Sequence, residues 1–106
     1  MIVTTCEHIA GKRVKQTLGL VKGNTVRARH IGRDIAAALR NIIGGEVTEY
    51  TKLIAESREQ SLDRMVEDAK SLGANGIIMV RFSTSELMRG AAELLAYGTA
   101  VILEDE

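Results

Sequence analysis

A cysteine and a histidine lie two residues apart near the start of the chain, as Cys6 and His8. Thiolate and imidazole groups are ligands that zinc and copper prefer in proteins. If this segment is an extended strand, both side chains point to the same face and can hold one ion. A tetrahedral site needs further ligands, and His30 is the other histidine of the chain. The candidate metal site is therefore Cys6, His8 and His30, for zinc or copper.

Two other interpretations of this segment stay open. Cys6 is the sole cysteine, so no internal disulfide and no cysteine pair at metal-ligand spacing is present. A small buried thiol beside an exposed imidazole is the simpler interpretation. A nucleophilic pair is less well supported, because neighbours on one strand stand side by side and no oxyanion hole is indicated. The sequence favours a non-catalytic protein, with an enzyme of unknown reaction as an alternative.

Basic residues cluster around a predicted helix in the first half of the chain. They are Arg27, Arg29, His30, Arg33 and Arg40. These side chains could bind an anion or a nucleic acid near the start of the helix. We favour a second interpretation, in which Arg33, Asp34 and Arg40 form ion pairs with a neighbouring subunit or with acids of the second helix such as Glu49 and Glu56. Of these, a subunit interface is preferred, because arginine is enriched at interfaces.

The charge of the chain is balanced overall but divided between its halves. The chain has 106 residues, the size of one domain (1–106), and a net charge of zero. Residues 1–45 carry eight basic and two acidic residues, and residues 46–106 carry six basic and twelve acidic residues. This division fits self-association equally as well as neutralisation within one subunit. A zero total argues against a dedicated nucleic-acid-binding protein.

The apolar segments predict a protein of the cytoplasm. The longest apolar runs, such as Ile77-Ile78-Met79-Val80, are far shorter than a membrane span. The first residues lack the basic and apolar regions of a signal peptide. We therefore expect a cytoplasmic protein that does not enter a membrane and keeps Cys6 reduced.

The first half of the chain predicts strands followed by a helix. The β-branched start and the loosely alternating segment 14–21 are typical of strands. Residues 22–24 have turn chemistry, and residues 25–28 could return as a strand. From 31 to 43 the apolar residues recur at helical spacing, which predicts a first helix.

The second half predicts a long helix and a hairpin. Apolar residues over 48–72 share one helical face, and Gly73 suits the end of that helix. Residues 77–82 resemble a strand buried on both faces, and 83–90 is rich in turn residues. Residues 91–97 could be helical, but a hairpin keeps the connection short and is favoured. The order predicts an α+β fold with two layers, two helices and a mostly antiparallel sheet.

Several motifs in combination resemble the YbjQ-like family, which is described as heavy-metal-binding. They are His30-Ile31-Gly32-Arg33-Asp34, Arg40-Asn41-Ile42-Ile43-Gly44-Gly45 with Tyr50, Leu72-Gly73-Ala74-Asn75, and Tyr97-Gly98-Thr99-Ala100-Val101. The resemblance covers essentially the whole chain. It implies a dodecin-subunit-like fold that assembles with copies of itself as a ring, a pentamer. Position 6 is not generally cysteine in the family and His30 replaces its usual asparagine, so no ligand set is carried over.

Overall fold

The computed structural model describes residues 1–28, 48–88 and 91–106. This part of the chain contains four strands and one helix. In chain order they are β1 (Ile2–Val3), β2 (Lys12–Ala28), α1 (Thr48–Ser71), β3 (Gly76–Met88) and β4 (Ala91–Asp105). The strands form one mixed sheet with α1 packed on one face, which confirms the predicted α+β class. The predicted first helix, 31–43, lies outside the described residues.

The sheet has the strand order β1-β3-β4-β2. β1 is parallel to β3, whereas β4 pairs antiparallel with both β3 and β2. Met88 at the end of β3 lies opposite Ala91 at the start of β4. The predicted C-terminal hairpin is therefore confirmed, and residues 91–97 belong to a strand rather than a helix.

β2 is one strand of 17 residues, so the turn predicted at 22–24 is wrong. The reason is the position of Gly23, which is buried beneath α1. A Cβ atom there would overlap the carbonyl oxygen of Ser61 and the backbone nitrogen of Met65. The glycine thus permits a close approach of strand and helix, a role that glycine also has inside strands.

β3 also differs from the prediction in two places. Residues 83–88 continue the strand, because their backbone pairs with the long β4 whatever their polar side chains favour. Burial on both faces holds for Ile77, Ile78 and Val80 but is wrong for Met79, which is 43% exposed. Met79 lies at a register shift between Ile78 and Arg81 and has a positive φ of 55°. Such an irregularity re-aims the side chain of the extra residue.

The long helix ends where its sequence predicts. Gly73 has a φ of 83°, in the left-handed region that glycine adopts without strain. Its backbone N–H donates to the carbonyl of Lys70 at 3.0 Å, and the N–H of Ala74 donates to Ala69 at 3.1 Å. This pair of bonds is a Schellman motif, which satisfies carbonyl groups at the helix end.

The main core lies between α1 and the sheet. Its buried members are Val21, Met65, Ala69, Ile77, Val80, Ala96 and Ala100. The alanines of β4 are small and let the helix approach the sheet closely. Ile78, Val101 and Leu103 form a second cluster with Ile9, and by strand alternation it lies on the opposite face. Among the described residues, no helix is long and apolar enough to cross a membrane.

Candidate functional site

The segment that carries Cys6 and His8 is a bend rather than a strand. β1 ends at Val3, and residues 5–7 turn away from the extended conformation. The backbone N–H of Cys6 donates to the Thr4 hydroxyl oxygen at 3.1 Å, a local bond that competes with strand pairing. The expectation that Cys6 and His8 share a strand face is therefore wrong.

This bend, residues 4–8, is held against β3 by its backbone. The carbonyl of Thr4 accepts the N–H of Val80 at 3.0 Å, and the carbonyl of Cys6 accepts the N–H of Met79 at 3.1 Å. The irregular backbone at Met79 thus supplies an anchor for the bend. The Cys6–His8 segment has a defined position on the sheet although it lies outside the strands.

The side chains of residues 5–8 face solvent. Cys6 is an exposed free thiol. His8 Nε2 lies 3.3 Å from Glu7 Oε1, and these side chains are 90% and 67% exposed, so their interaction contributes little stability. Within the described ranges, no three cysteine, histidine or acidic side chains come together as ligands. His30 lies outside those ranges, so the three-residue metal site stays a prediction.

Arg27 is the member of the predicted basic cluster that the structure describes. Its Nη2 donates to Gln60 Oε1 at 2.8 Å, which links β2 to α1. Its buried Nε has no hydrogen-bond partner among the described residues. Arg29, Arg33, Asp34 and Arg40 lie outside the described residues, so the interface assigned to the last three also stays a prediction.

A row of three side chains that no local sequence pattern predicts crosses the sheet. Lys22 of β2 and Arg81 of β3 both lie directly opposite Tyr97 of β4, one on each side. Residues directly opposite each other in antiparallel strands point to the same face. We call these residues the Lys22–Tyr97–Arg81 row. The sequence predicted a turn at 22–24, and only the strand register brings the three residues together.

The row lies on the sheet face away from α1. Val21, Val80 and Ala96, the neighbours of its members along the chain, are buried under the helix. Alternation therefore places the row on the opposite face, which also carries the buried cluster of Ile78, Val101 and Leu103. Lys22 and Arg81 are exposed, and Tyr97 is half-buried.

The fold and the exposed bend define a small α+β protein with α1 packed on one sheet face and a free thiol in a bend beside β3. The chain belongs to the YbjQ-like family. The family model, described as "Putative heavy-metal-binding", matches residues 1–104. The resemblance found in the sequence motifs is thereby confirmed.

Similar proteins cover nearly the full chain. A UPF0145 protein of Dehalococcoides mccartyi is 59% identical over 104 residues, which are 98% of this chain and all of the relative. A UPF0145 protein of Methanosarcina acetivorans is 54% identical over 95% of each chain. A crystal structure of a Pediococcus pentosaceus protein of unknown function matches 98% of each chain with a TM-score of 0.65. Its identity is 16%, so it supports the fold alone.

Proposed function

We propose that this protein is a non-catalytic, cytoplasmic subunit of a homo-oligomeric ring, a pentamer, that binds a heavy-metal ion. The observation that carries the assembly is the extended shape. The accessible surface is 7259 Å², whereas a compact chain of this size exposes about 5,800 Å². The radius of gyration is 17.1 Å, against about 13 Å for a compact domain of 100 residues.

The excess surface has the size that a ring would bury. The difference between the two surface areas is roughly 1,400 Å². A ring subunit has two interfaces, and each buries about 800 Å² of the subunit's surface. Apolar side chains mark where a neighbour fits best. Phe82 is 43% exposed and Leu87 is 53% exposed, both on the outer half of β3. α1 packs chiefly over β2 and β4, which leaves this part of the sheet without a helix among the described residues.

The strand edges offer a second element of an interface. β2 is the last strand of the sheet, and β1 pairs with only the first residues of β3. Among the described residues, the 81–88 part of β3 therefore has no strand on its outer side. A free edge of this kind pairs readily with a strand of another chain.

The subunit mass in solution tests the assembly. We expect light scattering at micromolar concentration to give five times the mass of one chain. Phe82→Lys and Leu87→Lys should lower that mass, because each places a charge where the neighbour packs. Leu72→Lys, the same chemical change at the exposed end of α1, is the matched control. A monomeric parent protein would refute the ring and leave the metal proposal to its own test.

The metal proposal is supported by the family description and by the accessible Cys6–His8 bend. Zinc and copper each bind a soft thiolate and an imidazole, and a site for either ion needs additional ligands. We propose that His30 supplies one of them. In a ring, the bends or helices of neighbouring subunits could supply others.

Metal uptake by the reduced, purified protein tests this site. We expect zinc or copper to bind at a fixed ratio per chain, and to be lost in Cys6→Ser and His8→Ala. His30→Ala should lower the affinity, since one ligand is removed. Glu7→Gln is the neighbouring control and should bind as the parent does. Equal uptake by the Cys6 and His8 variants would eliminate the site.

A further inference from the structure

The Lys22–Tyr97–Arg81 row places one aromatic ring between two cations on the sheet face away from α1. Directly opposite residues have Cβ atoms about 5 Å apart, so both cationic side chains start next to the ring. The register that creates this arrangement belongs to three different strands. It is therefore a property of the assembled sheet.

No acidic side chain of the described residues forms an ion pair with either cation. The ion pairs among the described residues involve neither Lys22 nor Arg81. Asp68 approaches from the helix side and accepts the backbone N–H of Lys22, not its ammonium group. Glu93 lies on the same sheet face as Tyr97, further along β4, and accepts a hydrogen bond from the Asn24 side chain. The row thus carries two positive charges to which no carboxylate from the described part of the chain is bound.

Arg81 is also held in position. Its Nη1 donates to the carbonyl of Thr5 at 3.0 Å and to that of Val80 at 2.9 Å. Both bonds use the same nitrogen and hold it towards the bend beside β3. Among the described residues the other N–H groups of the guanidinium make no bond, so they can take a ligand. A fixed arginine loses less side-chain freedom on binding than a mobile one.

We infer that the Lys22–Tyr97–Arg81 row binds a small aromatic anion, a mononucleotide such as AMP. The Tyr97 ring stacks on the base, as aromatic side chains on sheet surfaces do with bases. Lys22 and Arg81 contact the phosphate, for which a guanidinium fork and an ammonium group are suited. A single aromatic ring accommodates one base, which favours a mononucleotide over a long strand. This inference is independent of the proposed metal site.

Tyrosine NMR tests the stacking directly. The chain has two tyrosines, Tyr50 and Tyr97. In a Tyr50→Phe chain labelled with ¹³C-tyrosine, Tyr97 is the only tyrosine ring that gives a signal. We expect AMP to move its ring resonances upfield in a saturable manner. No change up to millimolar AMP would overturn the inference.

Calorimetry with the parent protein distinguishes the contribution of the base to the affinity from that of the phosphate. Adenosine and inorganic phosphate should each bind at least about ten-fold more weakly than AMP, because each supplies one half of the contact. Phosphate that binds as tightly as AMP would remove any role for Tyr97 and overturn the inference. Adenine oligonucleotides whose affinity rises with length would replace the mononucleotide with a single-stranded nucleic acid, and so would also overturn it.

Matched variants test the residues of the row. Tyr97→Leu should weaken AMP binding at least about five-fold, the lower end for loss of one stacking contact. Lys22→Gln should weaken it about three- to five-fold, as expected for an exposed charge. Lys52→Gln removes the same charge on the exposed side of α1 and should bind AMP as the parent does. Equal losses in the two lysine variants would show unspecific attraction and refute the site. Circular dichroism checks that each variant is folded.

Discussion

The side chain of Asn75 pairs with both backbone groups of Leu103. Its Nδ2 donates to the Leu103 carbonyl at 2.9 Å, and its Oδ1 accepts the Leu103 N–H at 2.6 Å. The backbone N–H of Asn75 also donates to the carbonyl of Val101 at 3.2 Å. The side-chain amide of Asn75 thus makes the two hydrogen bonds that the backbone of a neighbouring strand would make with Leu103. These bonds join the segment after α1 to β4.

We predict that Asn75→Ala lowers the free energy of unfolding by about 1–3 kcal/mol. The change removes two hydrogen bonds and leaves the backbone groups of Leu103 without their partner. Urea denaturation followed by circular dichroism measures the effect. Asn24→Ala is the control, because its bond to Glu93 is exposed and 3.3 Å long. Equal losses in the two variants would contradict a special role for Asn75.

The second prediction concerns the contact between β2 and α1. Gly23→Ala should destabilise the protein by about 1–3 kcal/mol or more, because the new methyl group meets backbone atoms of Ser61 and Met65 that cannot rotate away. Gly11→Ala is the comparison. Its φ is 78° with no atom within 4 Å of a new Cβ, so it should cost about 1–2 kcal/mol through strain alone.

Thermal unfolding of the two glycine variants distinguishes the causes. Replacing α1 side chains by shorter ones should not restore the melting temperature of Gly23→Ala, because the new methyl group meets the helix backbone itself. A Gly23→Ala protein as stable as the parent would show that the strand and helix can separate without loss.

A third prediction concerns buried hydroxyl groups between β2 and α1. Thr25 Oγ1 and Ser61 Oγ lie 2.9 Å apart, and Ser61 donates to the carbonyl of Leu94 at 2.9 Å. We expect Thr25→Val and Ser61→Ala to destabilise the protein less in combination than the two effects added. Their coupling should be about 0.5–1.5 kcal/mol, the range for one buried hydrogen bond.

A double-mutant cycle in urea gives that coupling. The pair Thr17→Val and Ser71→Ala is a control of the same chemistry, because both residues are exposed and no hydrogen bond joins their side chains. Coupling no larger than in the control pair would mean that the hydroxyl groups act independently.

The fourth prediction concerns acid conditions. A hydrogen bond from Lys12, together with its positive charge, lowers the pKa of Asp105 in the folded protein. Since the folded pKa lies below the unfolded value of about 3.9, the pair stabilises the fold above that pH. The contribution is lost as the pH falls through the lower, folded pKa.

Asp105→Asn should therefore be less stable than the parent at neutral pH and equal to it at a pH below the folded pKa, where the carboxyl group is protonated in both states. Urea midpoints at both pH values measure this. The effect is small because the pair is exposed. Glu106→Gln is a neighbouring control with no ion pair among the described residues. A difference between parent and Asp105→Asn that persists unchanged at low pH would exclude the charge as its cause.

The sequence by itself determined the features that depend on neighbours along the chain. The helix Thr48–Ser71 and its end at Gly73 follow from apolar periodicity and from a glycine that adopts a left-handed conformation. The strand pair at the C-terminus follows from β-branched residues and a short connection. The family also follows from motifs read directly in the chain.

Tertiary structure decided what depends on distant residues. Lys22-Gly23-Asn24 has the composition of a turn, yet the backbone of α1 requires a glycine in a straight strand at that place. Cys6 and His8 leave the strand because the Thr4 hydroxyl and the irregular backbone of β3 bind the bend. The Lys22–Tyr97–Arg81 row exists only through the register of three strands, and that register is set by non-local hydrogen bonds that no local pattern specifies.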